Sequence, residues 1–168
     1  MEIATDSEIR YEDANGNIYF VYNHAFWRLD TETQEGSRIA SAGVVGELQV
    51  YGDYLIYRVG ATAASYSLIT GENLILHDNV SSIAAWNGVF YYIERRAYSL
   101  FRVPLDQPDK QPELLKGGGR YIMALTPEER ESVAMVLSVF TEDNRLFFTQ
   151  CDDELWEFRE DGNHVKIG

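Results

Sequence analysis

The chain has 168 residues and a formal charge of −13, from 27 acidic against 14 basic side chains, and contains one cysteine. Such a negative field repels a phosphate backbone and argues against nucleic-acid partners. A single cysteine excludes an internal disulfide framework and Cys-rich zinc clusters. No run of 18 apolar residues is present, so no membrane-spanning helix or membrane insertion is expected. The start, Met1-Glu2-Ile3-Ala4-Thr5-Asp6, has neither a basic nor an apolar stretch, so no secretory signal is expected; the compartment stays open between the cytoplasm and an excised extracellular domain.

The chain repeats itself four times. Ile18-Tyr19-Phe20 leads to Phe26-Trp27-Arg28-Leu29, and Tyr54-Leu55-Ile56 to Ser65-Tyr66-Ser67-Leu68. Val89-Phe90-Tyr91 leads to Leu100-Phe101-Arg102-Val103, and Leu146-Phe147-Phe148 to Leu155-Trp156-Glu157-Phe158. The first member of each pair is apolar at three consecutive positions, as in a strand buried on both faces. The second alternates apolar with polar, the period-2 signature of a strand. Trp27, Tyr66, Phe101 and Trp156 read as equivalent aromatics that pack between units.

Turn residues bracket these pairs. Asn15-Gly16, Gly52-Asp53, Asn87-Gly88 and Asp143-Asn144 precede the first member, and such pairs supply the positive φ angles of a tight hairpin. Further strands are predicted ahead of those turns at Ile9-Arg10-Tyr11 (a weaker match), Leu48-Gln49-Val50, Ile83-Ala84-Ala85 and Leu137-Ser138-Val139. Outer strands are predicted at Arg38-Ile39, Leu74-Ile75-Leu76, Glu113-Leu114-Leu115 and Val165-Lys166-Ile167. A unit of this size cannot bury its own apolar face and must stack on copies of itself. The pattern predicts an all-β, β-propeller-like array of four four-stranded antiparallel blades, at about 7–40, 46–77, 81–116 and 133–168, in a single domain over 1–168. It leaves open a closed four-bladed ring, an open section, or part of a larger propeller. An open array would expose blade edges and favour self-association. The insertion at 116–132 is predicted to hold one short helix near 127–133, because Thr126-Pro127-Glu128-Glu129 supplies a cap, a first-turn proline and a capping box.

Asn17-Ile18-Tyr19-Phe20 and Phe26-Trp27-Arg28-Leu29-Asp30 resemble the bacterial propeller repeats with a "gd-x-IYY…LYRmd" pattern, a family similar to the YWTD propellers of lipoprotein receptors. The resemblance covers nearly the whole chain outside 116–132. It implies a binding or scaffolding domain, in a family where many members have six blades. The chain has no YWTD tetrapeptide and only four copies, so no YWTD-type ligand surface carries over.

No convergent catalytic set is visible. Asp13-Ala14-Asn15-Gly16-Asn17 has its glycine misplaced for a calcium loop and reads as a hairpin turn. Gly117-Gly118-Gly119-Arg120 lacks the lysine and hydroxyl of a phosphate loop. His24, His77 and His164 have no metal spacing and read as exposed. Cys151, beside Asp152, Asp153 and Glu154, has the wrong surroundings for a thiolate nucleophile. No catalytic residue, metal or cofactor is therefore assigned. The leading reading is a non-enzymatic scaffold that presents loops on one propeller face to a protein or peptide. The alternative is a carbohydrate-active propeller, hydrolase or lectin, using acidic and aromatic residues. The partner face is expected at 22–25, 58–63, 94–97, 150–153 and the 116–132 insertion. Its candidate contacts are Tyr22, Arg58, Arg95, Arg96, Arg120 and Tyr121, types favoured at hot spots.

Overall fold

The computed structural model describes residues 10–13, 15–117, 135–150 and 154–168. The expected helix near 127–133 lies outside these residues. The described residues form sixteen strands in four antiparallel four-stranded sheets. The first sheet is β1 (Arg10–Glu12), β2 (Asn17–Tyr22), β3 (Ala25–Asp30) and β4 (Gly36–Ser41); the second is β5 (Val45–Tyr51), β6 (Tyr54–Val59), β7 (Thr62–Ser67) and β8 (Asn73–His77). The third comprises β9 (Val80–Trp86), β10 (Val89–Glu94), β11 (Ser99–Pro104) and β12 (Glu113–Lys116); the fourth β13 (Val136–Glu142), β14 (Arg145–Gln150), β15 (Glu154–Phe158) and β16 (His164–Lys166). Strand order follows chain order in every sheet. The chain divides into two compact units, Met1–Ile75 and Leu76–Gly168.

The turn chemistry acts as expected. Asn87 and Gly88 take φ values of 48° and 75° between β9 and β10, and Asp143 and Asn144 take 50° and 56° between β13 and β14. Both positions of a two-residue hairpin thus sit in the left-handed region that matches strand twist. Asp13 closes the first turn: its carboxylate accepts the Asn15 amide at 2.7 Å and the Asn17 amide at 3.3 Å. This is an Asx turn made by the residues that superficially suggest a calcium loop.

Register corrects one equivalence. Phe20 lies opposite Trp27, Tyr92 opposite Phe101, and Phe148 opposite Trp156. In the second sheet the matching pair is Tyr57 with Ala64, while Tyr66 lies two pairs along on the same face, opposite Leu55. Tyr66 therefore matches Leu29, Val103 and Phe158, not the other three aromatics. The fourth inner strand is also shifted: Val139, opposite Phe148, matches Leu48 opposite Tyr57 and Ile83 opposite Tyr92. Leu137, an apolar residue two positions before Val139, is instead the extra residue of a bulge, where Val136 pairs with Gln150 and Ser138 with Thr149; it matches Gly46 in β5.

Each unit is built on one junction between sheets. In Met1–Ile75, Tyr19 and Phe26 of the first sheet bury against Leu48, Leu55, Tyr57 and Ala64 of the second. The Phe26 and Tyr57 rings meet edge-on at 4.8 Å. In Leu76–Gly168, Tyr91, Ile93 and Leu100 of the third sheet bury against Val139, Leu146, Phe148 and Phe158 of the fourth. A buried hydroxyl ties the inner strands of this second junction: Ser82 Oγ donates to the Val139 carbonyl at 3.1 Å and accepts the Val139 amide at 3.0 Å. Both junctions use the same faces. The face bearing Tyr19 and Phe26, or Tyr91 and Leu100, always meets the face of the following sheet that bears its Tyr57 or Phe148 position. We call the first the leading face and the second the trailing face.

The shared aromatics are only half-buried. Trp156 stacks parallel to Phe148 at 6.2 Å, takes the edge of His164 at 5.3 Å and lies beneath the Lys116 ammonium at 5.3 Å. Two histidines are likewise not the exposed residues the sequence suggested. His77 stacks on Tyr92 at 4.3 Å, and His164 wedges between Phe148 and Trp156. Only His24 is exposed. Both packed rings replace water with aromatic carbon, which no local sequence pattern signals.

Because Trp156 keeps part of its surface in solvent, Trp156→Ala should cost about 2 kcal/mol, below the roughly 3 to 5 of a fully buried aromatic; urea unfolding measures it, and a change near zero would show that the ring packs nothing. The histidines add a pH dependence. Burial holds the His77 imidazole below its usual range against the opposing pull of Asp78 and Glu94, and burial followed by the Lys116 ammonium does the same at His164. The unfolded chain then binds more protons than the folded one as pH drops below the ordinary histidine value of about 6.5. Stability should fall between pH 7.5 and 5.5, and a His77→Gln/His164→Gln variant should lose less; equal urea midpoints at the two pH values for the parent protein would refute this.

Candidate functional site

The loops joining the second and third strands are hydrogen-bonded to the segments that lead from sheet to sheet. In the first unit Asn23 and His24 form the β2–β3 turn with φ values of 50° and 57°. The His24 carbonyl accepts the Ala42 amide at 2.8 Å and the Gly43 amide at 3.3 Å. In the second unit the Arg95 amide donates to the Asn79 carbonyl at 2.8 Å, and the Val136 amide to the Tyr98 carbonyl at 2.8 Å. At this end of the first and third sheets, then, the hairpin tips are joined to the sheet-to-sheet connections.

Bulges shape that end. Gly46, Ser81 and Leu137 are extra residues at matching places in β5, β9 and β13, next to the register shifts at Val45/Glu47, Ile93/Glu94 and Val136/Ser138. A bulge re-aims the side chains beside it. Glu94 lies beside one, and its carboxylate folds over its own turn. It accepts the Arg96 amide at 3.1 Å, the Ala97 amide at 2.6 Å and the side-chain amide of Asn79. The backbone of 94–98 is thus fixed while the Arg95 and Arg96 side chains are exposed. Gly117, where the chain leaves β12, has φ +106°, and a Cβ there would lie 2.9 Å from the Ser99 Cα. Only glycine fits this close approach.

The expected contact residues fare differently. Tyr22 is 45% exposed and meets the edge of Trp27 at 6.2 Å, while the Trp27 indole donates to the Tyr22 carbonyl at 3.1 Å. With its one donor engaged, Trp27 offers a partner ring surface alone. Arg58 is a structural clamp: it pairs with Glu47 at 3.0 Å, donates to the Gly60 carbonyl at 2.5 Å and lies over Gly46, where a Cβ would come within 2.8 Å of the guanidinium. Tyr22 and Arg58 belong to one unit, Arg95 and Arg96 to the other. Arg120 and Tyr121 lie outside the described residues, as do 151–153.

At the opposite end, the second unit has a feature that sequence reasoning missed. The segment between β11 and β12 folds back, with Leu105 N donating to the Gly88 carbonyl at 3.0 Å and Lys110 N to the Gln107 carbonyl at 3.1 Å. An open groove of about 140 Å³ results, lined by Val89, Arg102, Val103, Pro104, Lys110 and Glu113 among others. Arg102 pairs with Glu113 at 2.7 Å across it. The sequence signals only a proline-bounded turn here. Among the described residues no group of three or more His, Cys, Asp or Glu could hold a metal ion, and Tyr92, pushed up to about 12 by burial and then by Glu94, stays protonated as a packing ring.

Glu94→Ala should release the 94–98 turn from its cap and cost about 1 to 2 kcal/mol. Urea unfolding together with amide exchange at Arg96 and Ala97 measures this; unchanged exchange at those amides would show that the carboxylate does not hold the turn.

No family model matches the chain, and no curated protein matches it in sequence. Solved structures match its fold. Hsv2 from Kluyveromyces lactis is 14% identical with a TM-score of 0.66, over 99% of this chain and 52% of that one. The N-terminal domain of Nup159 is 16% identical with a TM-score of 0.59, over 95% and 47%. A nidogen/laminin complex gives 9% identity and a TM-score of 0.57, over 89% and 57%. These neighbours are β-propeller proteins, and the four antiparallel sheets described above share that fold. The chain spans about half the length of the first two solved structures.

Proposed function

We propose that the chain is a non-enzymatic binding or scaffold domain that presents loops on one propeller face to a protein or peptide partner. The observation that carries this reading is the stitching of hairpin tips to sheet-to-sheet connections. It gives each unit a fixed backbone at these tips, from which Tyr22 projects into solvent in one and Arg95 and Arg96 in the other. Rigid loops lose little entropy on binding, and Tyr and Arg are the residue types that anchor interfaces. Arg58 supports the surface from beneath rather than contacting a partner. Arg120 and Tyr121, with the insertion that holds them, complete the proposed contact set.

The matched proteins are consistent with this class. The nidogen structure holds laminin, and a matched S. cerevisiae structure holds Dbp5, Nup159 and Gle1. The repeat residues Asn17–Phe20 and Phe26–Asp30 support a relationship to the bacterial propeller-repeat family, and the recurrence of the same four-stranded pattern on both sides of the 116–132 insertion supports one domain over 1–168.

The test is a peptide-display selection against the 168-residue protein, with a glycan array in parallel. Enriched peptides should lose binding at least tenfold in the Tyr22→Ala/Arg95→Ala/Arg96→Ala variant and on replacement of 117–132 by a short linker, with the melting temperature nearly unchanged. Binding that survives both changes would move the site elsewhere. Selective capture of one glycan class without peptide enrichment would favour the carbohydrate-active alternative.

A further inference from the structure

The leading face of the fourth sheet carries large apolar side chains in solvent. The leading faces of the first and third sheets are closed: Tyr19, Phe26, Tyr91, Ile93 and Leu100 are all 5% exposed or less. The leading face of the fourth sheet bears one row across all four strands, Phe140–Phe147–Glu157–Val165, set by register. Phe140 is 36% exposed and Val165 39%, and Ile167 just beyond β16 is 49% exposed. Phe147 is covered from its own sheet, by the stacked Phe140 ring at 5.5 Å and the Arg145 guanidinium at 5.0 Å. Three exposed large apolar side chains thus stand on the surface that, in the third sheet, is a core.

The first sheet carries the complementary surface. Its trailing face holds Ile18, Phe20, Tyr22, Trp27 and Leu29, matching the residues of the second and fourth sheets that close the two internal junctions. Phe20 is buried, whereas Ile18, Trp27 and Leu29 are half-buried and Tyr22 is 45% exposed. Charge agrees as well: Arg38, opposite Trp27, is exposed on this face, and the exposed Glu142 stands two residues along β13 from Phe140 on the other, while Glu157 within the row is already paired with Arg145.

We infer that the leading face of the fourth sheet is a self-association surface that takes the trailing face of the first sheet of a second copy. A leading face meets a trailing face at the junction inside each unit. Pairing two leading faces would break that rule, so the contact is head-to-tail and uses two different surfaces. The matched Nup159 and Hsv2 structures are about twice as long as this chain, so two copies together reach their length.

The test is sedimentation of the 168-residue protein over a hundredfold range of concentration. The parent should show a mass of two copies or more that rises with concentration. Val165→Lys and Tyr22→Lys should each weaken association at least tenfold, with far-UV circular dichroism and melting unchanged; Ile167→Lys replaces Val165→Lys should that variant fail to fold. Mixing the two variants should restore a two-copy species, because one keeps a sound first-sheet face and the other a sound fourth-sheet face. A parent protein that is monomeric throughout, an association indifferent to the fourth-sheet variants, or a mixture no heavier than its parts would overturn the inference. Association lost in Val165→Lys but intact in Tyr22→Lys would also overturn it, since it would show the fourth-sheet face pairing with itself.

Discussion

Each four-stranded sheet in this protein carries apolar side chains on both sides, and most of that surface can be covered only by another sheet. Everything else follows from that constraint. Three apolar residues in succession, as in Leu55-Ile56-Tyr57 or Leu146-Phe147-Phe148, send side chains to alternate faces, and every one of these six is 7% exposed or less. Burying one such face against another is worth about 25 cal/mol for each Å² removed from water. A single sheet of about thirty residues gains none of this alone, so the repeat is a consequence of packing and not merely a record of duplication.

The junctions are also directional. A leading face carries a Tyr at its centre that engages an Arg on the neighbouring strand, Tyr19 with Arg28 and Tyr91 with Arg102. The Arg102 guanidinium reaches over the Phe158 ring of the trailing face at 5.9 Å. In the fourth sheet the same places hold Phe147 and Glu157, and Arg145 approaches from the next row to pair with Glu157 at 2.7 Å. The cation is retained and its origin has moved by one row. Mixed aromatic and guanidinium packing of this kind tolerates partial solvent better than an aliphatic surface does.

Strand positions were legible in the sequence because alternation and turn residues are local. Asn87-Gly88 and Asp143-Asn144 need nothing beyond their own backbone angles to declare a hairpin. Register was less legible. Apolar residues two apart share a face, so Leu137 reads as well as Val139 for the place of Leu48, and Tyr66 reads better than Ala64 for the place of Trp27. Burial of polar groups was not legible at all. Ser82 reads as a surface residue until the Val139 backbone of a sheet more than fifty residues away supplies its partner. Of the contact residues, Tyr22, Arg95 and Arg96 could be placed at loop tips from spacing alone. That Arg58 is spent on Glu47, Gly60 and Gly46 depends on a bulge that the sequence conceals, and the groove beside Arg102 depends on how a proline-bounded segment folds back.

The Asn87-Gly88 hairpin also bears on how the protein ages. Asparagine followed by glycine is open to deamidation, because the glycine nitrogen can reach the side-chain carbonyl with no Cβ in its path. Here the Asn87 amide donates to the Glu160 carboxylate at 2.8 Å. Conversion to aspartate would replace that donor with a second negative charge facing the first, so slow chemical damage at one turn would become repulsion across the junction between the third and fourth sheets. A hairpin chosen for its backbone geometry thereby doubles as a clock.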